Sequence, residues 1–205
     1  MPEIDPVILE WVTLAKSGDS DAFAELLYLF QDPVYNLCYR MLGEGGEAED
    51  ATQETFLRVY KNLNRYDTTR PFKTWLLSIA SNHCIDRLRK RRMQLVSLDD
   101  EPTAAALALR SKDPTPEQAA VAGELSSYIQ GLFLRLDEHY RLAVIYRYWF
   151  QYSYAEIAEL MDTTESAIKS RLHRARKKLA ELIETAEDLG IEGDDRLADP
   201  LPKGS

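Results

Sequence analysis

Apolar residues recur three or four apart along most of this chain, with short breaks between the runs. Phe23, Leu26, Leu27 and Phe30 share one helical face, and Val34, Leu37, Cys38 and Met41 share another. Pro33 lies between these sets. Proline suits the first turn of a helix better than its interior, so two helices are expected within Asp19 to Leu42. The run Gly43-Glu44-Gly45-Gly46 breaks the pattern. Periodicity resumes from Glu47 to Leu63, with Glu47, Glu49 and Asp50 placed favourably near the helix N-terminus. Arg65 to Lys73 reads as a loop around Asp67-Thr68-Thr69-Arg70-Pro71, and Thr74 to about Arg91 as a further helix.

The pattern then lapses. Leu95 to Pro116 has few large apolar residues after Leu98 and carries Pro102, Pro114 and Pro116, which predicts a linker with at most a little helix at Thr103 to Leu109. Helical spacing returns in Glu117 to Leu136, Asp137 to Phe150, Tyr154 to Met161 and Thr164 to Glu184. No segment alternates as a strand would. The expected fold is all-α: two small helical domains, 1–94 and 117–184, joined by a flexible linker at 95–116, with an acidic flexible tail at 185–205.

The last two helices predict a helix-turn-helix. Ile168, Leu172, Ala175, Leu179 and Leu182 form a narrow apolar stripe. Ser170, His173 and Lys177 lie opposite, flanked by Lys169 and Arg174. Ala158 is small enough to let two helices cross closely. Met161-Asp162-Thr163-Thr164 is the turn. Asp162 stands where many such turns carry glycine, and aspartate tolerates positive φ better than most residues. Thr163 or Thr164 can cap the second helix.

Charge sharpens this picture. The 205 residues carry a formal charge of −9, which disfavours indiscriminate nucleic-acid binding. Yet Glu165 to Leu182 has a local balance of +4, and Arg87 to Arg92 is a second basic run. In a DNA reading, Lys169, Ser170, His173 and Arg174 approach base edges, while Arg171, Arg176, Lys177 and Lys178 suit phosphates or flanking contacts.

The first domain offers two further faces. Asp50, Gln53, Glu54 and Leu57 lie opposite the apolar stripe Ala48, Ala51, Thr55, Phe56 and Val59. Leu57 there is either part of a partner-binding patch or a solitary exposed leucine. On the helix from Thr74, the core stripe is Leu76, Leu77, Ala80, Cys84 and Leu88, with Trp75, Asn82, Asp86 and Arg89 on the other side. Asn82 beside a loop and cationic groups can read a base edge or an unstacked base, or it is a plain surface amide. Trp75 reads as core in preference to a stacking platform.

Other chemistries are weakly supported. Cys38 and Cys84 read as separate buried thiols. His83, His139 and His173 have no metal-ligand spacing with them, and no phosphate-cradling glycine motif or nucleophile–base pair is visible. No catalytic residue, metal or cofactor is expected. No run reaches membrane-span length and no positively charged leader precedes an apolar segment, so a cytoplasmic protein is expected.

Glu49-Asp50-Ala51-Thr52-Gln53-Glu54-Thr55-Phe56-Leu57-Arg58-Val59 resembles conserved region 2.2 of bacterial sigma factors. Thr74-Trp75-Leu76-Leu77-Ser78-Ile79-Ala80-Ser81-Asn82 is similar to their promoter-melting helix. Tyr154-Ala155-Glu156-Ile157-Ala158 and Lys169-Ser170-Arg171-Leu172-His173-Arg174-Ala175-Arg176 resemble region 4. Their order, with no third domain between them, resembles that of extracytoplasmic-function (ECF) sigma factors over about Ala22 to Leu182. The resemblance implies core RNA polymerase as partner. Asp50, Gln53, Glu54 and Leu57 would meet the clamp helices of the largest subunit, and the second domain the flap of the second-largest. It implies that Asn82, with Arg65, Arg70, Phe72 and Arg89, serves the minus-ten element, the Arg65 to Lys73 loop capturing a flipped base. It implies Lys169, Ser170, Arg171, His173, Arg174 and Lys177 at the minus-thirty-five element, and an anti-sigma factor as a possible partner. A helix-turn-helix regulator that binds duplex DNA as a dimer is the alternative, but it leaves Asp50, Gln53, Glu54 and Asn82 unexplained.

Overall fold

The computed structural model describes residues 5–97 and 128–188, with side chains for 5–94 and 128–185. All regular structure among these residues is helical. The stretch 98–127 and the tail beyond 188, on which most of the linker and tail readings fall, lie outside the described residues.

The first unit is built around one long central helix. α1 (Pro6–Lys16) begins at Asp5, whose carboxylate accepts from Val7 N at 2.9 Å, with proline in its first turn. It buries Val12 and Ala15, and the sequence pattern does not predict it. α2 (Ser20–Leu42) starts on the Asp19 cap and runs through Pro33 without a break, so the expected pair of helices is one. Pro33 removes one backbone bond, at a cost of about 3 kcal/mol in a helix interior. Leu26 and Phe30 before it and Val34, Leu37 and Met41 after it are all buried in one core. Burying several such side chains, each worth about 1.5–3 kcal/mol, outweighs that cost.

Gly43 ends α2 in the left-handed region, φ +87°, and its N–H donates to Tyr39 O. α3 (Gly45–Asn62) follows, capped by the Glu44 carboxylate on Gly46 N and Glu47 N. A single 3-10 turn, Leu63–Arg65, leads to the loop. α4 (Phe72–Ser97) starts earlier than expected and extends into the stretch read as linker. α1, α3 and α4 all pack on α2.

The second unit comprises α5 (helical residues 128–134), α6 (Glu138–Tyr148), α7 (Tyr154–Leu160) and α8 (Glu165–Asp188). α7 opens with a reciprocal capping box between Ser153 and Glu156. The turn into α8 is as expected: Asp162 has φ +46°, and Thr164 Oγ1 accepts from Ala167 N at 3.2 Å.

The two units share one continuous core. α6 packs on α2 and α4, and α7 on α4. Tyr146 is fully buried and donates its hydroxyl to Leu77 O at 3.2 Å. Gln130 donates to Tyr39 O and Arg40 O at 3.0 and 3.2 Å. The Arg141 guanidinium donates to Phe133, Leu134 and Leu136 carbonyls of its own unit and to Met41 O of the other. Arg40 stacks on Trp149, 4.1 Å from the ring centroid.

Candidate partner and nucleic-acid interfaces

The α3 face carries the first group of candidates. Burial of Ala48, Ala51, Thr55, Phe56 and Val59 turns the opposite side outward. Asp50 and Gln53 are exposed, Glu54 is half-buried, and Leu57 is 52 % exposed. Leu57 has company: Tyr60, one turn on, is also exposed and meets Phe23 edge-on at 5.0 Å. Glu54 pairs with Arg58 at 2.8 Å, and that bond holds its carboxyl below the usual range. Exposed pairs of this kind stabilise little. The face therefore keeps a negative, partly apolar character.

The basic run Arg87 to Arg92 is not a free cationic patch. Arg87 lies 4.0 Å from Asp50, Arg91 3.7 Å from Glu47, and Arg92 2.8 Å from Glu138 of α6. Arg89 and Lys90 point to solvent. Beneath this seam sits His83, largely buried, with neither ring nitrogen hydrogen-bonded among the described residues. Burial, and then Arg58 and Arg87 nearby, lower its pKa, so the ring is neutral at pH 7.

Loop 65–73 and α4 carry the second group. Asn82 and Arg89 are exposed, seven residues apart and hence on one side of α4. Arg65 is exposed. Arg70 is exposed too, but pairs with Glu159 of α7 at 2.8 Å. Phe72 corrects the sequence expectation. It is only 4 % exposed, inside an aromatic cluster with Phe30, Tyr66 and Trp75, so it supports the loop from below instead of facing a ligand. Trp75 belongs to the same cluster, as its reading as core requires. Tyr66 donates its hydroxyl to Arg70 O, and burial pushes its pKa up to about 12. Asp67 accepts from the N–H and hydroxyl of Thr69, which tightens the loop tip. A cavity of about 220 Å³ opens under the loop, lined by Ile8, Leu9, Phe30, Phe72 and, from the second unit, Tyr152. Lys73 lies over the Phe150 ring at 5.6 Å. The second unit thus touches the loop at several points, which no local sequence pattern signals.

α8 carries the third group. Ile168, Leu172 and Ala175 are buried, and Lys169, Ser170, His173, Arg174 and Lys177 are exposed on the other side. Arg171 departs from this set: it is half-buried, and its Nη1 is buried without a partner among the described residues. It turns toward the body of the unit. Two tyrosines each meet one cation of the exposed face. Arg174 donates to Tyr140 Oη at 3.4 Å, and Lys169 lies 5.7 Å from the Tyr154 ring centroid. Such a face can neutralise phosphates and present a fork of donors to base edges.

Among the described residues, no cluster of His, Cys, Asp and Glu could hold a metal ion, and no helix is long and apolar enough to cross a membrane.

Residues 27–93 match the family model Sigma-70 region 2, and residues 126–179 match Sigma-70, region 4. The chain is 37 % identical over 180 residues to the ECF RNA polymerase sigma factor SigW of Bacillus subtilis, covering 86 % of this chain and 96 % of that one. It is 31 % identical over 170 residues to the RNA polymerase sigma factor CarQ of Myxococcus xanthus, covering 82 % and 92 %. Its fold resembles that of CnrH in complex with the cytosolic domain of CnrY, with TM-score 0.65, 21 % identity and coverage of 88 % and 99 %. It also resembles the sigma factor RpoE of Bartonella quintana bound to the anti-sigma factor NepR, with TM-score 0.63, 23 % identity and coverage of 79 % and 96 %.

Proposed function

The chain belongs to the ECF RNA polymerase sigma factors, which direct transcription initiation and are not themselves catalysts, and from that premise we propose how its two units divide the work. The first unit, residues 1–94, binds core polymerase through Asp50, Gln53, Glu54 and Leu57, which face the clamp helices of the largest subunit. Carboxylates around an exposed leucine suit a helical partner with a basic rim and an apolar centre. The same unit serves the minus-ten element through Asn82, Arg65, Arg70 and Arg89, with Phe72 as an internal support. The second unit, residues 117–184, docks on the flap of the second-largest subunit and reads the minus-thirty-five element through Lys169, Ser170, His173, Arg174 and Lys177.

One observation carries this reading most directly. α8 buries its apolar stripe and leaves its cations other than Arg171, with Ser170 and His173, on a single open face behind a tight turn. Reading two separated elements also requires the units to part. The 30 residues at 98–127 reach at most about 100 Å when extended, which is ample. An anti-sigma partner is proposed by analogy with RpoE of Bartonella quintana, whose structure holds one.

The test is multi-round transcription with purified core polymerase on promoters selected from a random library. Initiation at defined start sites that depends on this chain, and on both a minus-ten and a minus-thirty-five block, is the expected result. Nanomolar binding of a promoter duplex by the free chain at physiological salt, with no stimulation of core, would overturn the reading in favour of an ordinary helix-turn-helix regulator.

A further inference from the structure

The connection between α6 and α7 belongs to the second unit, yet it lies against the 65–73 loop of the first. Gln151 takes φ +56°, a left-handed conformation uncommon for a residue with a Cβ. Three bonds fix the chain around it: Phe150 N donates to Ile145 O at 3.3 Å, Tyr152 N to Tyr146 O at 3.1 Å, and Arg147 Nη1 to Tyr152 O at 3.0 Å. The Phe150 and Tyr152 rings stack, with centroids 6.2 Å apart and planes within 15°. Both reach the loop. Lys73 Nζ lies 5.6 Å from the Phe150 centroid, and Tyr152 walls the cavity that Pro71, Phe72, Lys73 and Thr74 also line. Further along, Glu159 of α7 pairs with Arg70 at 2.8 Å.

These contacts all fall on one half of the candidate minus-ten surface. Residues 70–74 meet the second unit, whereas Arg65, Asn82 and Arg89 stay exposed. The covering segment is no loose flap. Its bonds to α6 make it move with the second unit, which is seated on the first by Tyr146 on Leu77 O and Arg141 on Met41 O. The loop is therefore freed only when that unit lifts. Glu159 offers Arg70 an anionic oxygen, as a DNA phosphate does, so the two compete for one guanidinium.

We propose that the second unit autoinhibits the first: Phe150, Tyr152 and Glu159 form a latch on the Arg70 to Thr74 end of the loop, and single-stranded minus-ten DNA engages that end only after the latch has left. The proposal rests on the reading that this loop serves the minus-ten element, and adds how the site is regulated. The apparent affinity of the free chain is then its open-state affinity scaled by the fraction of open molecules. Docking of the two units at separate places on core polymerase raises that fraction.

The test uses the full chain with donor and acceptor dyes on Lys61→Cys and Glu184→Cys, both exposed positions, to follow the separation of the units by energy transfer. In parallel, the undyed chain is titrated into a fluorescein-labelled single strand carrying the minus-ten block selected with the holoenzyme, and into a scrambled strand. Glu159→Gln should lower the transfer efficiency and tighten binding of the selected strand about two- to fivefold, the range expected for an exposed ion pair, with a smaller gain on the scrambled strand. Tyr152→Ala should act in the same direction without a change of charge. Glu181→Gln makes the same charge change on α8, where Glu181 pairs with Lys178, and should do neither. Unchanged transfer or unchanged strand affinity in Glu159→Gln would overturn the proposal. So would equal gains on both strands, an equal gain in Glu181→Gln, or native chain saturated with the selected strand at undiminished transfer. Preference of the holoenzyme for the selected strand over the scrambled one tests the minus-ten reading separately, so its failure shows there and not in the latch variants.

Discussion

Arg141→Ala should break the junction between the two helical units. The native guanidinium donates to four carbonyls: Phe133, Leu134 and Leu136, which end α5 and the turn after it, and Met41, which ends α2 in the other unit. Burial presses its pKa down to about 10, still well above neutral, so the side chain is charged at pH 7. Alanine removes all these donors; Phe133 O still accepts from Leu136 N at 3.0 Å, but the Leu134, Leu136 and Met41 carbonyls lose their guanidinium partner near helix ends. Each buried carbonyl left unpaired costs about 1–3 kcal/mol. Water can reach the partly buried Leu134 end, so the four do not sum in full, and a loss of about 3–5 kcal/mol is expected, as for other broken buried charge networks. With a urea m-value of about 2 kcal/mol/M, the midpoint should fall by roughly 2 M. Because the lost bonds span both units, the single native transition should also split, with the second unit melting first. Arg141→Met fills the space with apolar volume and should lose less if packing compensates for the missing donors. Urea denaturation followed by both far-UV circular dichroism and tryptophan fluorescence measures this; Trp149 reports on the junction, and Trp11 and Trp75 on the first unit. A midpoint shift under about 0.3 M with one coincident transition would refute the keystone role.

Asp50→Arg should leave the urea midpoint within about 0.5 kcal/mol of native, since an exposed side chain 4.0 Å from Arg87 contributes little, yet weaken core polymerase binding at least tenfold in a fluorescence titration. Arg174→Ala should cost about 1–3 kcal/mol on the cognate upstream element, if its fork is bidentate to guanine, and nothing on a duplex altered at that base pair; equal losses on both would move Arg174 to a phosphate role. Gly43→Ala should destabilise by about 1–2 kcal/mol, because φ +87° is strained for alanine, and Leu134→Ala should remove only the part due to the added Cβ meeting Leu134 at 2.5 Å. His83 has a folded pKa below its unfolded value, so its contribution is fully present above about pH 6.5 and is lost as pH falls from there toward the folded pKa; His83→Gln should flatten stability across that window, measured as thermal midpoints from pH 7.5 to 5.

The helices with strong periodicity were legible at once. The α8 stripe of Ile168, Leu172 and Ala175, the positive φ of Asp162 and the Thr164 cap all follow from local spacing and side-chain chemistry. So does the buried face of α3. Local rules mislead where they compete with packing. Pro33 should end a helix by its own chemistry, but the apolar residues on both sides of it face one core. α1 is short, and its face is recognisable only once Val12 and Ala15 meet the first unit's core.

The candidate sites divide along the same line. Asp50, Gln53, Leu57, Asn82, Arg89 and the cations of α8 face solvent because a helix with one buried stripe must turn its other side outward, and a single wheel shows which side that is. Phe72, Arg171 and the basic run Arg87 to Arg92 could not be judged that way. An aromatic residue at a loop end can point in or out, and only the cluster of Phe30, Tyr66 and Trp75 decides that it points in. The anchoring of Arg141 on Met41 O is likewise invisible in a linear pattern. Local spacing alone sets what most of the helices are and which stripe each buries, because those depend on neighbours three or four residues away. Which charges are already paired and how the two units lock emerge only from the packed molecule, because those depend on partners brought together from distant parts of the chain.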